Sequence, residues 1–348
     1  MRDFNYAKIA QQKWDSEILE LVAAIYYEAG KQTMYLKEKP AELEKLVEIA
    51  KIQSTDSSNA IEGICTTKTR LRQLVQDKTT PHNRSEQEIL GYRNALNHIH
   101  QHFASDPISQ DFILNLHKIM LGPTQQTYAG KIKSAQNYIM AFYPDGHKKL
   151  LFEPVSPQET PKALASICQE YNLAVGNYRL EPLIAIAVFI FDFICIHPFD
   201  DGNGRLSRLL TILLLYRHGF YVGRYISLEA HIAKTKSLYY LSLRESQEGW
   251  HEGVADVSPF IKYFLGIVVS AYRDFADRFA LVGGNDKALE IVKHAARNLM
   301  GKFTKQDIWE QCPSLSISSV EIALRKLVDK GDLAREGKSR STVYYHLK

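Results

Sequence analysis

Cysteine is scarce in this chain. The four present, Cys65, Cys168, Cys195 and Cys312, lack the close pairing that holds zinc or an iron–sulfur cluster. Reduced thiols and a cytoplasmic setting are therefore expected. Long apolar runs are also missing: none reaches the ~18 residues that cross a bilayer, and the opening MRDFNYAKIAQQKW has no apolar leader core. Neither a signal peptide nor a membrane span is expected. Charge of one sign is nearly absent, with 43 basic against 39 acidic residues in 348. Residues 286–348 hold 12 basic and 8 acidic residues and so carry the whole excess of +4, which excludes a basic coat over the rest of the chain. No Gly-Lys-Ser/Thr loop is present, which excludes a Walker-type phosphate site. What remains is an ordinary soluble composition, 45% hydrophobic and 24% charged, long enough for more than one domain.

One stretch organises the sequence: His197-Pro198-Phe199-Asp200-Asp201-Gly202-Asn203-Gly204-Arg205-Leu206-Ser207-Arg208. Before it, EPLIAIAVFIFDFICI (181–196) is apolar on nearly every side, as in a helix at the centre of a bundle. Pro198 disfavours helical backbone at His197 and should end that helix. RLSRLLTILLLYRHG (205–219) restarts a helix that closes on basic residues and Gly219. Gly202 and Gly204 let backbone amides approach a ligand at the new helix start, where free N–H groups and the dipole favour an anion. Arg205 and Arg208 share one face of that helix, completing a phosphate cradle. Asp201 offers the hard oxygen that Mg²⁺ takes beside nucleotide phosphates, whereas an EF-hand is excluded because position 12 of such a loop would be Ile212. A neutral His197 beside bound phosphate could accept a proton from a hydroxyl.

These residues resemble the Fic family motif H-P-F-x-[D/E]-G-N-G-R, with the family's further Arg at position 208. The resemblance implies an all-helical core that transfers AMP from ATP to a protein hydroxyl; some relatives transfer other phosphate-linked groups. It implies His197 as base and Asp201 as Mg²⁺ ligand. Nucleotide contacts are implied for Gly202, Asn203, Gly204, Arg205, Leu206, Ser207 and Arg208, with Arg205 on the β-phosphate and Arg208 on the γ-phosphate.

Upstream, Ser58-Asn59-Ala60-Ile61-Glu62-Gly63 places Ser58 and Glu62 on one helix face, with Gly63 as a stop. Alone this is a capped helix end. Beside the loop it resembles the family's inhibitory motif [S/T]-x-x-x-E-[G/N], in which Glu62 would pair with Arg208 and block the γ-phosphate. A carboxylate and a phosphate compete for one guanidinium.

From Tyr128 to Pro161 the pattern turns extended around Pro144-Asp145-Gly146, predicting a β-hairpin. It is similar to the family's flap, which pairs with a target protein's main chain; Ile139 and Met140 there are implied nucleotide contacts. One departure stands out: the family usually has aromatic-Arg where this chain has Ile132-Lys133. The segment 227–249 reads helical, and Tyr239 and Gln247 align with the family's adenine contacts. His98, His100, His102 and His117 complete no metal pattern and are given no role. Beyond a Gly-rich linker at 281–285, three helices and two strands around Gly337 resemble a winged helix, with Arg335, Lys338 and Arg340 on its wing. Such a module takes DNA or a protein partner, or pairs two copies of the chain.

The expected fold is mainly α: a Fic-type helical bundle with a β-hairpin flap and a C-terminal winged helix-turn-helix. The expected domains are an N-terminal helical region (1–85), a catalytic core (86–280) and a winged helix (286–348). The expected function is an autoinhibited, cytoplasmic protein adenylyltransferase that uses ATP and Mg²⁺ on a Tyr, Thr or Ser hydroxyl, its own included. Two alternatives stay open: a different phosphate-linked donor, or a nucleotide-sensing DNA-binding regulator.

Overall fold

The computed structural model describes residues 2–38, 40–104, 107–142, 148–281, 287–297, 299, 301–312, 315, 317–337 and 342–346. The chain forms two compact units: residues 1–33 with 50–272, and residues 34–49 with 273–348.

The chain begins with helices α1 (Tyr6–Ala10), α2 (Ser16–Glu38), α3 (Pro40–Ile61) and α4 (Lys68–Val75). They are followed by α5 (Arg84–His102) and α6 (Gln110–Leu121). Next come strands β1 (Ile139–Phe142) and β2 (Lys148–Phe152), then α7 (Thr160–Gly176), α8 (Pro182–Ile196) and α9 (Asn203–Arg217). Helices α10 (Leu228–Lys234), α11 (Lys236–Gln247) and α12 (Ser258–Leu281) follow.

Helix α8 is the centre of the larger unit. Every residue from Leu183 to Ile196 is buried, and α9 buries all but three of its positions. Pro182 opens α8 where a missing amide costs nothing, and the Glu181 carboxylate caps it by accepting from Ile184 N at 2.9 Å. Each large apolar side chain removed from such a helix costs about 3–5 kcal/mol. Gly91 lets α5 cross α6 closely, since a Cβ there would meet the Met120 carbonyl oxygen at 1.8 Å.

Two expectations change in this unit. Residues 130–138, expected to be extended, form an irregular strap instead; among the described residues of this unit only β1 and β2 pair, with Met140 opposite Leu150 and Phe142 opposite Lys148. The strap's polar groups bond to the loop after α8 rather than to a neighbouring strand. The expected turn, Pro144-Asp145-Gly146, lies outside the described residues. The stretch 227–249 is two helices, not one. Thr235 separates them: its backbone leaves helical geometry at φ −113° and ψ 29°, and its hydroxyl donates to His231 O at 2.9 Å.

The smaller unit includes α13 (Lys287–Arg297), β3 (Phe303–Thr304), α14 (Lys305–Gln311), α15 (Ile317–Asp329), β4 (Leu333–Glu336) and β5 (Val343–His346). Its strands order β3-β5-β4, all antiparallel. Val292, Ile308, Val320, Leu324 and Leu333 form its own apolar core. Thr304 and Asp307 cap α14 reciprocally. Lys338 and Arg340 lie outside the described residues. Among the described residues, no helix is long and apolar enough to cross a membrane.

Candidate active site

The loop between α8 and α9 is built by its own backbone needs. His197 ends α8 in the left-handed conformation, φ 51° and ψ 62°, its amide still donating to Phe193 O at 3.0 Å. That conformation is uncommon for a residue with a Cβ, so the surroundings must hold it. Gly202, at φ 83°, starts α9 with no side-chain cap on its first turn. Unpaired amides there face outward from the helix start, as an anion site needs.

Asn203 binds the loop to itself. Its Oδ1 accepts from Phe199 N at 3.0 Å and its Nδ2 donates to Phe199 O at 2.7 Å. The Phe199 ring is fully buried and stacks on His117, centroids 3.8 Å apart. His117 was given no role from sequence, yet it supports the loop: its Nδ1 accepts from Gly130 N at 2.9 Å, so its Nε2 carries the proton and donates to Asp201 O at 3.0 Å. Burial lowers its pKa to about 4, which keeps this tautomer neutral.

His197 itself donates from Nδ1 to Ile194 O at 3.2 Å. A carbonyl only accepts, so Nε2 keeps its lone pair. Burial, helped by the Lys133 cation, outweighs the Ile194 carbonyl and Glu62 and brings the imidazole's pKa down to about 4. At neutral pH the ring is an uncharged proton acceptor.

A cavity of about 690 Å³ opens beside this ring, within the size range of small-molecule sites. From the expected set it brings together Glu62, Ile139, His197, Asp201, Gly202, Asn203, Gly204, Arg205, Arg208, Tyr239 and Gln247. Ser58, Met140, Leu206 and Ser207 are not among its lining. Leu206 is buried in the core, and the Ser207 hydroxyl donates to Gly204 O at 2.8 Å. Ser58 lies behind the wall, and Met140 pairs within the hairpin. Tyr240, Leu241 and Arg244 of α11 also line the cavity and were not anticipated. Gln247 donates to Cys195 Sγ at 3.7 Å, which aligns its amide at the cavity edge.

The two arginines differ. Arg205 donates from Nη1 to Glu88 at 2.7 Å and from Nη2 to Asp201 Oδ1 at 3.2 Å, with Arg84 donating to the same Glu88 at 2.9 Å. Sequence reasoning missed Glu88 and Arg84, which lie far upstream with no motif of their own. Arg208 is 4% exposed and bound entirely by the end of α3: Nε donates to Ser58 Oγ at 2.8 Å, and Nη2 to Ser58 O at 2.9 Å and Glu62 Oε1 at 2.8 Å. Helix α3 stops at Ile61 and Gly63 turns left-handed at φ 79°, leaving Glu62 at the cavity. Lys236 of α11 donates to Ile61 O at 2.8 Å and fastens that end. A Cβ on Gly204 would collide with the Glu62 carboxylate.

Among the described residues, no three His, Cys, Asp or Glu side chains group as a metal cage. Asp201, its side chain 39% exposed and lining the cavity, has the chemistry of a cation held jointly with ligand phosphates.

Residues 107–215 match the family model described as the Fic/DOC family. Among curated proteins, the chain is 31% identical over 183 residues to protein adenylyltransferase fic-1 of Caenorhabditis elegans, covering 52% of this chain and 32% of that protein. It is 27% identical over 228 residues to protein adenylyltransferase Fic of Nematostella vectensis, covering 64% and 48%. The chain thus spans about a third to a half of the curated relatives it matches. Among solved structures, a Fic family protein from Desulfovibrio desulfuricans superposes with a TM-score of 0.64 at 21% identity, covering 97% of both chains. Residues 134–508 of C. elegans Fic-1 give 0.57 at 22% identity, covering 74% of this chain and 70% of that one. The fold is therefore a mainly helical Fic fold with a small β-hairpin.

Proposed function

Because residues 107–215 form a Fic domain, we propose that this chain is an autoinhibited protein adenylyltransferase, moving AMP from ATP to a Tyr, Thr or Ser hydroxyl of a protein and releasing pyrophosphate. The observation that carries the reading is the Glu62–Arg208 pair at 2.8 Å, closing an anion cavity that also holds a neutral histidine. Relatives named protein adenylyltransferase support the reaction class.

The residues divide the work. His197 Nε2 takes the proton of the incoming hydroxyl, and that oxygen forms its bond to the α-phosphorus as the bond to the β-phosphate oxygen breaks. The opening amides of α9 and the Arg205 guanidinium stabilise charge on the phosphates. Asp201 would hold Mg²⁺, which neutralises phosphate charge when bound. Tyr239, 7% exposed, offers its ring to the base, and Gln247 offers its amide to the base edge. The β1–β2 hairpin presents the target beside His197.

In this state Ser58 and Glu62 hold the Nε and Nη2 donors of Arg208 and so compete with a γ-phosphate for the same fork. A hydrogen bond from Arg208 to a γ-phosphate, made only when Glu62 is gone, is worth about 1.5–3 kcal/mol, roughly ten- to a hundredfold in rate. Glu62→Gly should therefore raise ATP-dependent self-labelling by about that factor, read with radiolabelled ATP. Equal labelling of wild type and variant at saturating ATP would sink the brake. Measuring pyrophosphate separates this reaction from transfer from another phosphate-linked donor, which would release none from ATP.

The order of three helices and an antiparallel sheet in the smaller unit supports a winged-helix module. On its third helix, Glu321 is paired with Lys305 at 3.1 Å, so the acidic residue is built into the exposed face. That favours a protein partner over DNA phosphates.

A further inference from the structure

The strap 130–138 contains a buried charge that the catalytic scheme above does not use. Lys133 is 3% exposed, and among the described residues no carboxylate pairs with it. Its ammonium donates instead to Asn137 Oδ1 at 2.7 Å and to Ile196 O, the last carbonyl of α8, at 3.3 Å. Burying a cation with no carboxylate in direct contact is costly. The position is also where this chain departs from the family pattern.

Further donors of Lys133 and Asn137 reach the same place. Lys133 N donates to Pro198 O at 2.9 Å, and Asn137 Nδ2 donates to His197 O at 3.1 Å and Phe199 O at 3.0 Å. Together, Lys133 and Asn137 satisfy four successive carbonyls, residues 196 to 199. Those carbonyls define the left-handed turn at His197, which no short-range bond alone would fix.

We infer that Lys133 is a positioning residue for the base: with Asn137 it clamps the backbone of residues 196–199 and so sets where the His197 ring points. The inference rests on His197 as the base of the proposed transfer. Lys133 does not line the cavity and touches no reacting atom. Its ammonium has its pKa lowered to about 8 by burial, with Asp200 pulling it back up. The other titratable group facing it, His197, is neutral, and Asn137 on its own strap is uncharged.

The test compares Lys133→Met and Lys133→Arg in a Glu62→Gly parent. Methionine fills the same space without a charge, and exchanging buried charge for apolar volume is commonly neutral for stability. The melting temperature checks that both variants fold. Lys133→Met should slow self-transfer at saturating ATP by about tenfold or more, since an ångström of misplacement costs up to about a hundredfold. The half-saturating ATP concentration should stay within roughly twofold. Lys133→Arg should restore most of the rate and hold it above pH 8, where the parent declines as its ammonium deprotonates and arginine does not. A Lys133→Met rate within twofold of the parent, or a half-saturating ATP concentration that rises with the loss, overturns the inference.

A second readout is independent of turnover. In ¹³C-histidine spectra, the His197 resonance, assigned by loss in His197→Ala, should titrate at higher pH in Lys133→Met because a neighbouring cation is gone. An unchanged titration contradicts the clamp. If the Glu62→Gly parent transfers no AMP at all, the adenylyltransferase reading fails, while the histidine titration still decides the role of Lys133.

Discussion

His197 is kept in a state that an exposed histidine would not hold at mildly acidic pH. Burial pushes its pKa to about 4, so the base form persists well below the ordinary imidazole range. A base must be neutral, so activity is lost as pH falls through this value. The acid limb of kcat/KM for ATP, which reports the free enzyme, should lie below pH 5; a limb near 6.5 would mean that the ring is solvated. His197→Ala should lower transfer by roughly 10²–10⁴-fold with nucleotide affinity unchanged, measured by calorimetry beside the rate. His117 makes a different prediction, one of stability. His117→Phe keeps the stack on Phe199 but strands Gly130 N and Asp201 O, at about 1–3 kcal/mol each, to be read from urea unfolding. The loop 197–208 was legible in the sequence because its residues are contiguous and their chemistry is local. His117, Lys133, Asn137 and Glu88 were not. Their meaning lies in bonds to residues 60 or more positions away, such as the 117-residue separation between Glu88 and Arg205, and spacing along the chain carries no trace of such a bond.

At the scale of elements, the end of α3 and the start of α9 share one arginine. Ser58 supplies a hydroxyl and a carbonyl, and Glu62 a carboxylate, so the helix end saturates much of the Arg208 fork. Glu62 is about one third exposed, which limits the pair's contribution to stability to ~1 kcal/mol or less. Glu62→Gly should therefore lower the melting temperature only slightly while raising activity, two effects of opposite sign from one contact. Helix α8 was readable from its unbroken apolar run and from Pro198. The hairpin was located in the right part of the chain but begins later than its extended-looking sequence indicates. Lys133 and Asn137 direct their donors at the carbonyls of residues 196–199, a tertiary demand that overrides strand propensity. The break at Thr235 is local: its backbone turns out of helical geometry at φ −113° and ψ 29°, which apolar periodicity does not report.

At the scale of the molecule, the smaller unit has a core of its own, from Leu289 to Tyr344, with Trp309 packed against it. Trp250 lies buried in the larger unit, its indole donating to Asp192 at 2.8 Å. Two cores predict that unfolding need not be all-or-none. The fluorescence transitions of a Trp14→Phe, Trp250→Phe double variant and a Trp309→Phe variant in urea should fall at different midpoints; coincident transitions would mean one cooperative body. The proposed nucleotide transfer belongs to the larger unit, and the mass of the intact protein decides it. Wild type, Glu62→Gly and the Glu62→Gly, His197→Ala double variant are each incubated with Mg-ATP, and the intact proteins are weighed. The account predicts added AMP units on the single variant alone, which joins the base, the donor and the brake in one result. Nucleotide bound without added mass in any of the three, or equal added mass in all of them, would contradict it.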